Sequence, residues 1–533
     1  MGYLPRIKKN GISSAKSCNY LSDFFSKPYQ IMKNFLDSTH RGEKNKFLIP
    51  FAYVLGVALP FILVYFLPIY HVTDVFQFSR WGDCLAAGKV YMDCPRKIPD
   101  YPSIGVLASG GVIAAIKSLL GISEKTEAIY YFRFYLAFVD AVNFLLLTYL
   151  ARILKFKRPV IIGFSITLVL FLWAAGSLWG QIDNVGLLFC LLATIAFFQS
   201  WSEENTLLKN ILWFLLGMFS LVLFILTKQL FIFSLPFFAL VILTTGYKFQ
   251  QRYQTKGLIW LGATLLLSLG FFLYLDSLFA VPLRLIQSSF LFVLKSGSGH
   301  GDKISGNGFN IWIFLGLEPR ASSRVPFMDL QLGSWKKGIS PYQAGLLLYA
   351  GFMGFLICTG LIKIWQILAT KTEAINPKYN TTYLMALLCL FHGLSYLGFN
   401  ILLSGTHQRY LYIGYPFILM SIIWLYYQDL LVSRRALLAS LFAAFAYGCF
   451  LYSQVSNAYV VQAQQYLGVQ QPPNVPLLPK FFFIFERHQF LGAVHLFLLV
   501  FLVDIWQQLS KRQIVRPSSD NIVIPNKYDA REK

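Results

Sequence analysis

Charge is scarce in this chain: Asp, Glu, Lys and Arg make up 13% of 533 residues, against roughly 25% in a soluble protein. So little charge excludes a water-soluble globule of this length, and a hydrophobic share of 56% names lipid as the solvent. Acids are the scarcer sign, 24 against 46 Lys and Arg, for a net charge of +22. That excess does not mark a nucleic-acid binder. The basic residues sit beside long apolar runs, as the positive-inside rule and attraction to anionic headgroups require. Cysteine is sparse, seven in all, and no CxxC, HExxH or other metal-site spacing occurs, so no metal and no cofactor is expected. The Gly-rich stretch at 297–303 lacks the spacing of a phosphate loop. No cleavable signal peptide is expected, because the first 46 residues are polar and basic and the first apolar run is long and far in.

The apolar runs imply about twelve spans, at 47–70, 129–150, 159–176, 184–200, 210–227, 230–245, 257–275, 344–366, 383–404, 411–432, 436–455 and 489–508. Two weaker stretches, 104–121 and 279–294, read as interfacial helices in outer loops. The fold class is therefore an all-α polytopic membrane protein with a long first outer loop. Its parts are a basic cytoplasmic segment 1–46, a membrane domain 47–508 and a basic cytoplasmic tail 509–533. Basic loops fix the orientation: nine Lys or Arg in 1–46, then Arg152, Lys155, Lys157 and Arg158, then Lys248, Arg252 and Lys256, then Arg434 and Arg435, then the tail. Twelve spans put all of them on one side. A thirteenth at 104–121 would move the loop 151–158 across, against the rule.

The opposite side has two long loops at 71–128 and 277–343, a moderate one at 456–488, and short polar turns at 179–183, 227–229 and 406–410. Polar groups at such borders are costly, so three clusters on one side point to a shared polar cavity. Cys84 and Cys94 lie together in the first outer loop, either as a disulfide suited to an oxidising compartment or as two free thiols. That loop also supplies Asp74, Asp83, Asp93 and Asp100, carboxylates at an apolar boundary where a general base is at home, or else ordinary solvated acids. Pro102 biases Tyr101 toward extended geometry and so sets how Asp100 and the ring are presented. Lys228, His407 and Arg409 stand on the side where the positive-inside rule does not ask for cations. They are snorkelling helix ends, or they await an anion such as a lipid phosphate. Asp140, inside a span, reads as a partner in a helix–helix hydrogen bond.

Several of these residues stand in the order of a known pattern: Asp74, Trp81, Asp100-Tyr101-Pro102-Ser103, Trp179-Gly180-Gln181-Ile182-Asp183, Lys228-Gln229, Asn307-Gly308-Phe309-Asn310-Ile311-Trp312 and His407-Gln408-Arg409-Tyr410-Leu411. The arrangement resembles the GT-C superfamily of membrane glycosyltransferases. It looks most like bacterial proteins related to the second GPI mannosyltransferase, and like the dolichyl-phosphate-glucose-dependent glucosyltransferases. Two positions depart from the pattern: Ser103 replaces its second Pro, and Gln408 replaces its Glu.

The resemblance implies a GT-C-like fold and transfer of a hexose, mannose or glucose, with inversion. The donor would be a polyprenyl- or dolichyl-phosphate sugar and the acceptor a hydroxyl of a glycan or lipid-linked molecule on the non-cytoplasmic face. In that scheme Asp74 is the catalytic base and Arg409, His407 and Lys228 bind the donor phosphate. Asp100, Tyr101, Gln181, Asp183, Asn310 and Trp312 contact substrate. The membrane would be a bacterial plasma membrane or, in a eukaryote, the endoplasmic reticulum. A transporter or flippase of lipid-linked sugars, or an inactive relative, is the alternative.

Overall fold

The structure, a computed structural model, describes residues 47–87, 101–122, 124–278, 290, 302–306, 308–332, 335–369, 377–428, 432–467 and 484–511. By contacts the chain divides into Met1–Leu55 and Gly56–Lys533. The first unit is described only as the start of helix α1 (Leu48–Phe66). The architecture and the site belong to the second.

After α1 come α2 (Val72–Ala86), α3 (Ser103–Leu120), α4 (Lys125–Ile153), α5 (Pro159–Val169, prolonged by a π-turn at Ala174–Leu178) and α6 (Asp183–Gln199). Then come α7 (Leu207–Thr227), α8 (Leu235–Ser277), the short α9 (Ile311–Phe314), α10 (Pro341–Ala369), α11 (Pro377–Leu402), α12 (Tyr415–Tyr427), α13 (Arg434–Leu467) and α14 (His488–Lys511). The bundle is helical, as expected. The outer loop 277–343 adds what the sequence reading lacked, an antiparallel hairpin of β1 (Met328–Leu332) and β2 (Trp335–Ile339), paired Met328 to Ile339.

Eleven helices among the described residues are long and apolar enough to cross a bilayer. They match the expected twelve spans once three details are allowed for. The runs 230–245 and 257–275 are two helical arms that meet at a sharp backbone break at Gln254 (φ 53°, ψ −141°), so the single element α8 holds both expected spans, with the basic stretch 246–256 at their junction. The span at 184–200 is the 17-residue α6, just under the length that eleven others reach. The third detail is α3, a continuous helix with a π-turn at Leu107–Gly111, whose 18 residues meet the length of a span.

Hydrogen bonds show how α3 lies. Trp424, near the end of α12, donates to the Leu154 carbonyl at the end of α4 (2.8 Å), so those two ends meet. Near the start of α4, Arg133 donates to the carbonyls of Leu67 and Ser177, beside the turns that precede Asp74 and Trp179. The start of α4 therefore lies at the opposite end from Leu154. Both ends of α3, Tyr101–Pro102 and the Gly121 turn into α4, are at that same end. This is the arrangement of an interfacial helix. The stretch 279–294, apart from Phe290, lies outside the described residues.

The other end of the bundle is tied by the basic segments. Arg252 donates to the carbonyls of Ser202 (2.7 Å) and Asn205 (2.8 Å), and Lys248 to Thr381 (3.3 Å). Asp140 Oδ1 accepts from Asn184 (2.9 Å) and Oδ2 from the Ser177 backbone (3.0 Å), the helix–helix bond expected of it.

Candidate active site

Five chain segments converge at the end of the bundle away from those basic loops. The first is the start of α2. His71 N–H donates to the Trp179 carbonyl (3.0 Å), which locks the entry of α2 to the turn after α5. That turn is the second segment. Gly180 holds φ +79°, a conformation other residues resist, and a Cβ there would strike Val75. The turn throws Trp179 and Gln181 to the same carboxylate: Trp179 Nε1–H donates to Asp74 Oδ2 at 3.2 Å and Gln181 Nε2–H at 2.6 Å.

The third segment is the break between α7 and the 3₁₀ turn Gln229–Ser234. Lys228 is extended there (φ −155°, ψ 132°), so its side chain leaves the helix path and meets Asp183 Oδ1 at 2.6 Å. Burial pulls the Lys228 ammonium below its ordinary value, against the charge of Asp183, which raises it. The fourth is the 3₁₀ turn Gln408–Tyr412. It brings Arg409 within 3.5 Å of Asp74 Oδ2 and 3.6 Å of Asp183 Oδ2, with the guanidinium 5.6 Å from the Trp179 ring centre. The fifth is Tyr101, whose hydroxyl donates to Gln181 Oε1 (3.0 Å) and whose ring lies 5.4 Å from Lys228 Nζ.

These groups surround a cavity of about 210 Å³ lined by Asp74, Gln77, Phe78, Trp81, Tyr101, Gln181, Lys228, Gln229, Leu230, His407, Arg409 and Tyr410. That is below the roughly 300–1,000 Å³ of sites that enclose a whole ligand, and suits a polar headgroup whose tail stays outside. Burial pushes the Asp74 carboxyl up, but the hydrogen bond from His71, the charge of Arg409 and the hydrogen bond from Gln181 outweigh it and hold the group well below the usual carboxylate range.

The charges balance inside the site. Both cations have protein carboxylates beside them, Asp183 at Lys228 and both Asp74 and Asp183 at Arg409. The geometry is loose at Arg409, however. Its Nε and Asp183 Oδ2 are buried, 3.6 Å apart, and neither makes a hydrogen bond. Asp74 is uneven in the same way. His71, Trp179, Gln181 and Arg409 all address Oδ2. Among the described residues none addresses Oδ1.

Of the residues singled out from sequence, Asp74, Tyr101, Gln181, Lys228, His407 and Arg409 line the cavity, and Asp183 lies beneath it as counter-ion. Asn310 and Trp312 do not line it. Asn310 caps α9 and donates to the carbonyls of Ile304 (2.9 Å) and Leu403 (3.2 Å), while Trp312 donates to Leu402 (3.1 Å). Both fasten the outer loop to the segment that carries His407 and Arg409. Gln408 is buried and stands outside the cavity lining. Asp100, Asp93, Cys94 and Asn307 lie outside the described residues. Cys84 is disulfide-bonded.

Sequence reasoning missed His71, whose Nδ1 stands 3.2 Å from Asp74 Oδ2, and Gln462, whose side-chain nitrogen stands 3.3 Å from His71 Nε2. The i,i+3 spacing of His71 and Asp74 on one helix face was the available signal; nothing local marks Gln462, on another helix far along the chain. Among the described residues no group of three or more His, Cys, Asp or Glu stands ready to hold a metal ion.

No protein-family model matches the chain, and no curated protein matches it in sequence. Among solved structures, the chain is similar to the crystal structure of ArnT from Cupriavidus metallidurans bound to undecaprenyl phosphate. The identity is 13%, the TM-score 0.39, and the match covers 86% of this chain and 75% of that one.

Proposed function

We propose that this protein is a GT-C-like membrane glycosyltransferase that moves a hexose from a polyprenyl- or dolichyl-phosphate sugar to an acceptor hydroxyl, with inversion. The observation that carries the reading is one cavity in which a carboxylate, Asp74, faces two cations, Arg409 and Lys228, on segments far apart in the chain.

Each group has one task. The donor's phosphate enters beside Arg409 and Lys228, where charge-assisted hydrogen bonds are strong and a guanidinium fork matches phosphate oxygens. His407 adds a hydrogen bond from the cavity wall. Arg409 turns from Asp74 to the phosphate, which removes one of the charges that weaken Asp74 as a base. The acceptor hydroxyl attacks the anomeric carbon from the face opposite the phosphate. A new carbon–oxygen bond forms, the bond to phosphate breaks, the hydroxyl proton passes to Asp74, and lipid phosphate leaves with both bonding electrons. Cations already in place stabilise the charge that develops on it. Asp183 keeps the Lys228 ammonium in position, and Gln181, held by Tyr101, orients Asp74.

A flippase of lipid-linked sugars would also hold phosphate on these cations, but it has no use for a carboxylate whose Oδ1 is addressed by no donor among the described residues. The test is transfer of labelled mannose or glucose from polyprenyl-phosphate donors by purified protein in lipid nanodiscs. Wild type transfers the sugar. Asp74→Asn binds donor and loses on the order of 10² to 10⁴ in rate, while Arg409→Ala loses donor affinity by about 1.5–3 kcal/mol. Movement of intact donor across vesicles without transfer would replace this reading with the transporter.

A further inference from the structure

His71 has no task in the transfer scheme, yet its ring is held from several directions. It stacks on Trp179 at 5.4 Å and 14°. Its Nδ1 stands 3.2 Å from Asp74 Oδ2 and 3.2 Å from Thr73 Oγ1. Its Nε2 stands 3.3 Å from the side-chain nitrogen of Gln462, which α13 carries there from 391 positions further along the chain.

Which ring nitrogen bears the proton is decided by a chain of fixed donors. The backbone N–H of Thr73, at the start of α2, is one of the helix-start donors without a carbonyl in its own helix. It donates to Gln462 Oε1 at 3.3 Å. A backbone N–H only donates, so the oxygen of the Gln462 amide must face Thr73 and the NH₂ must face away from it. That NH₂ faces His71 Nε2. Since it too is a donor, Nε2 presents its lone pair. The proton of the neutral ring is then on Nδ1, aimed at Asp74 Oδ2.

We infer that Gln462 and His71 form a tautomer lock for Asp74. Gln462 caps α2, reads the cap's geometry into the ring of His71, and the ring pins Oδ2 together with Trp179 and Gln181, so that Oδ1 is the oxygen left to take the acceptor's proton. His71 and Gln462 are positioning residues. The lock deepens the proposed reaction and rests on Asp74 being its proton acceptor.

The test uses full-length protein with ring-¹⁵N histidine in nanodiscs at pH 8, with His71→Asn to assign the signal. The wild-type ring shows a protonated Nδ1 and a bare Nε2. Gln462→Glu still accepts from Thr73, which keeps the helix start capped, but offers no N–H to the ring. In that variant Nε2 becomes protonated, and kcat falls on the order of 10²-fold, as for a misplaced catalytic group, with the donor KM within twofold of wild type. A bare Nδ1 in wild type overturns the lock, as does a ring spectrum unchanged by Gln462→Glu, or a changed spectrum with unchanged kcat. If the ring behaves as stated while wild type transfers no sugar, the lock stands and the reaction assigned to the site falls.

Discussion

At the scale of single residues, Asp74 is held by more donors than a solvent-exposed carboxylate meets, and this gives its contribution to stability a sign. Its folded-state titration lies well below the usual carboxylate range. Such a group adds stability that is fully present above the unfolded value of about 3.9. The contribution is lost as pH falls through the lower folded value. Asp74→Asn is therefore expected to melt below wild type at pH 7, with the gap closing as pH drops under about 4. Thermal unfolding of both proteins in nanodiscs across that range checks it. A gap that stays constant with pH would mean that the lost contacts are not charge-dependent. Asp74, Lys228 and Arg409 were legible in the sequence because charge at an apolar border has few uses. Their pairing with one another was not, since Asp183 and Asp74 come from separate segments that only the fold brings under the cations.

At the scale of elements, the site is built from helix interruptions. The π-turn at Ala174–Leu178, the positive φ of Gly180, the extended Lys228 and the 3₁₀ turn at Gln408–Tyr412 each aim a side chain that a regular helix would carry elsewhere. Gly180→Ala tests this directly. A Cβ at φ +79° costs about 1–2 kcal/mol and runs into Val75, so the turn that presents both Trp179 and Gln181 shifts. The expected result is a transfer rate reduced at least as much as by Gln181→Ala, with spans and expression intact. Wild-type turnover in Gly180→Ala would show that the turn's shape is not needed. The close crossing of α2 and α3 obeys the same logic: a Cβ on Gly82 would strike the Gly110 carbonyl, so the two helices touch backbone to backbone. Spans were readable from hydropathy because lipid sets their length. The break at Gln254 and the β1–β2 hairpin were not, because hydropathy averages over backbone shape and the apolar–polar alternation of β1, Met-Asp-Leu-Gln-Leu, lasts only five residues.

At the scale of the whole molecule, α13 is long enough to cross a bilayer and extend beyond it. Its 34 residues span about 51 Å, against a hydrocarbon core near 30 Å, and the overhang delivers Tyr459 and Gln462 to Tyr70 and His71. The start of α2 and the interrupted helix ends thus line a polar chamber at one end, while Arg252, Lys248 and their partners knit the other. The order of motifs along the chain was enough to expect a shared chamber. It did not separate residues that face the cavity from those, such as Asn310 and Trp312, that only brace its walls. The transfer scheme turns on one movement, in which the donor's phosphate takes Arg409 away from Asp74. A structure of the protein in nanodiscs with polyprenyl phosphate decides whether it happens. Phosphate oxygens are expected within hydrogen-bond distance of Arg409 and Lys228, with the guanidinium withdrawn from its present 3.5 Å approach to Asp74. Phosphate bound elsewhere, with the pair between Asp74 and Arg409 intact, would overturn the scheme.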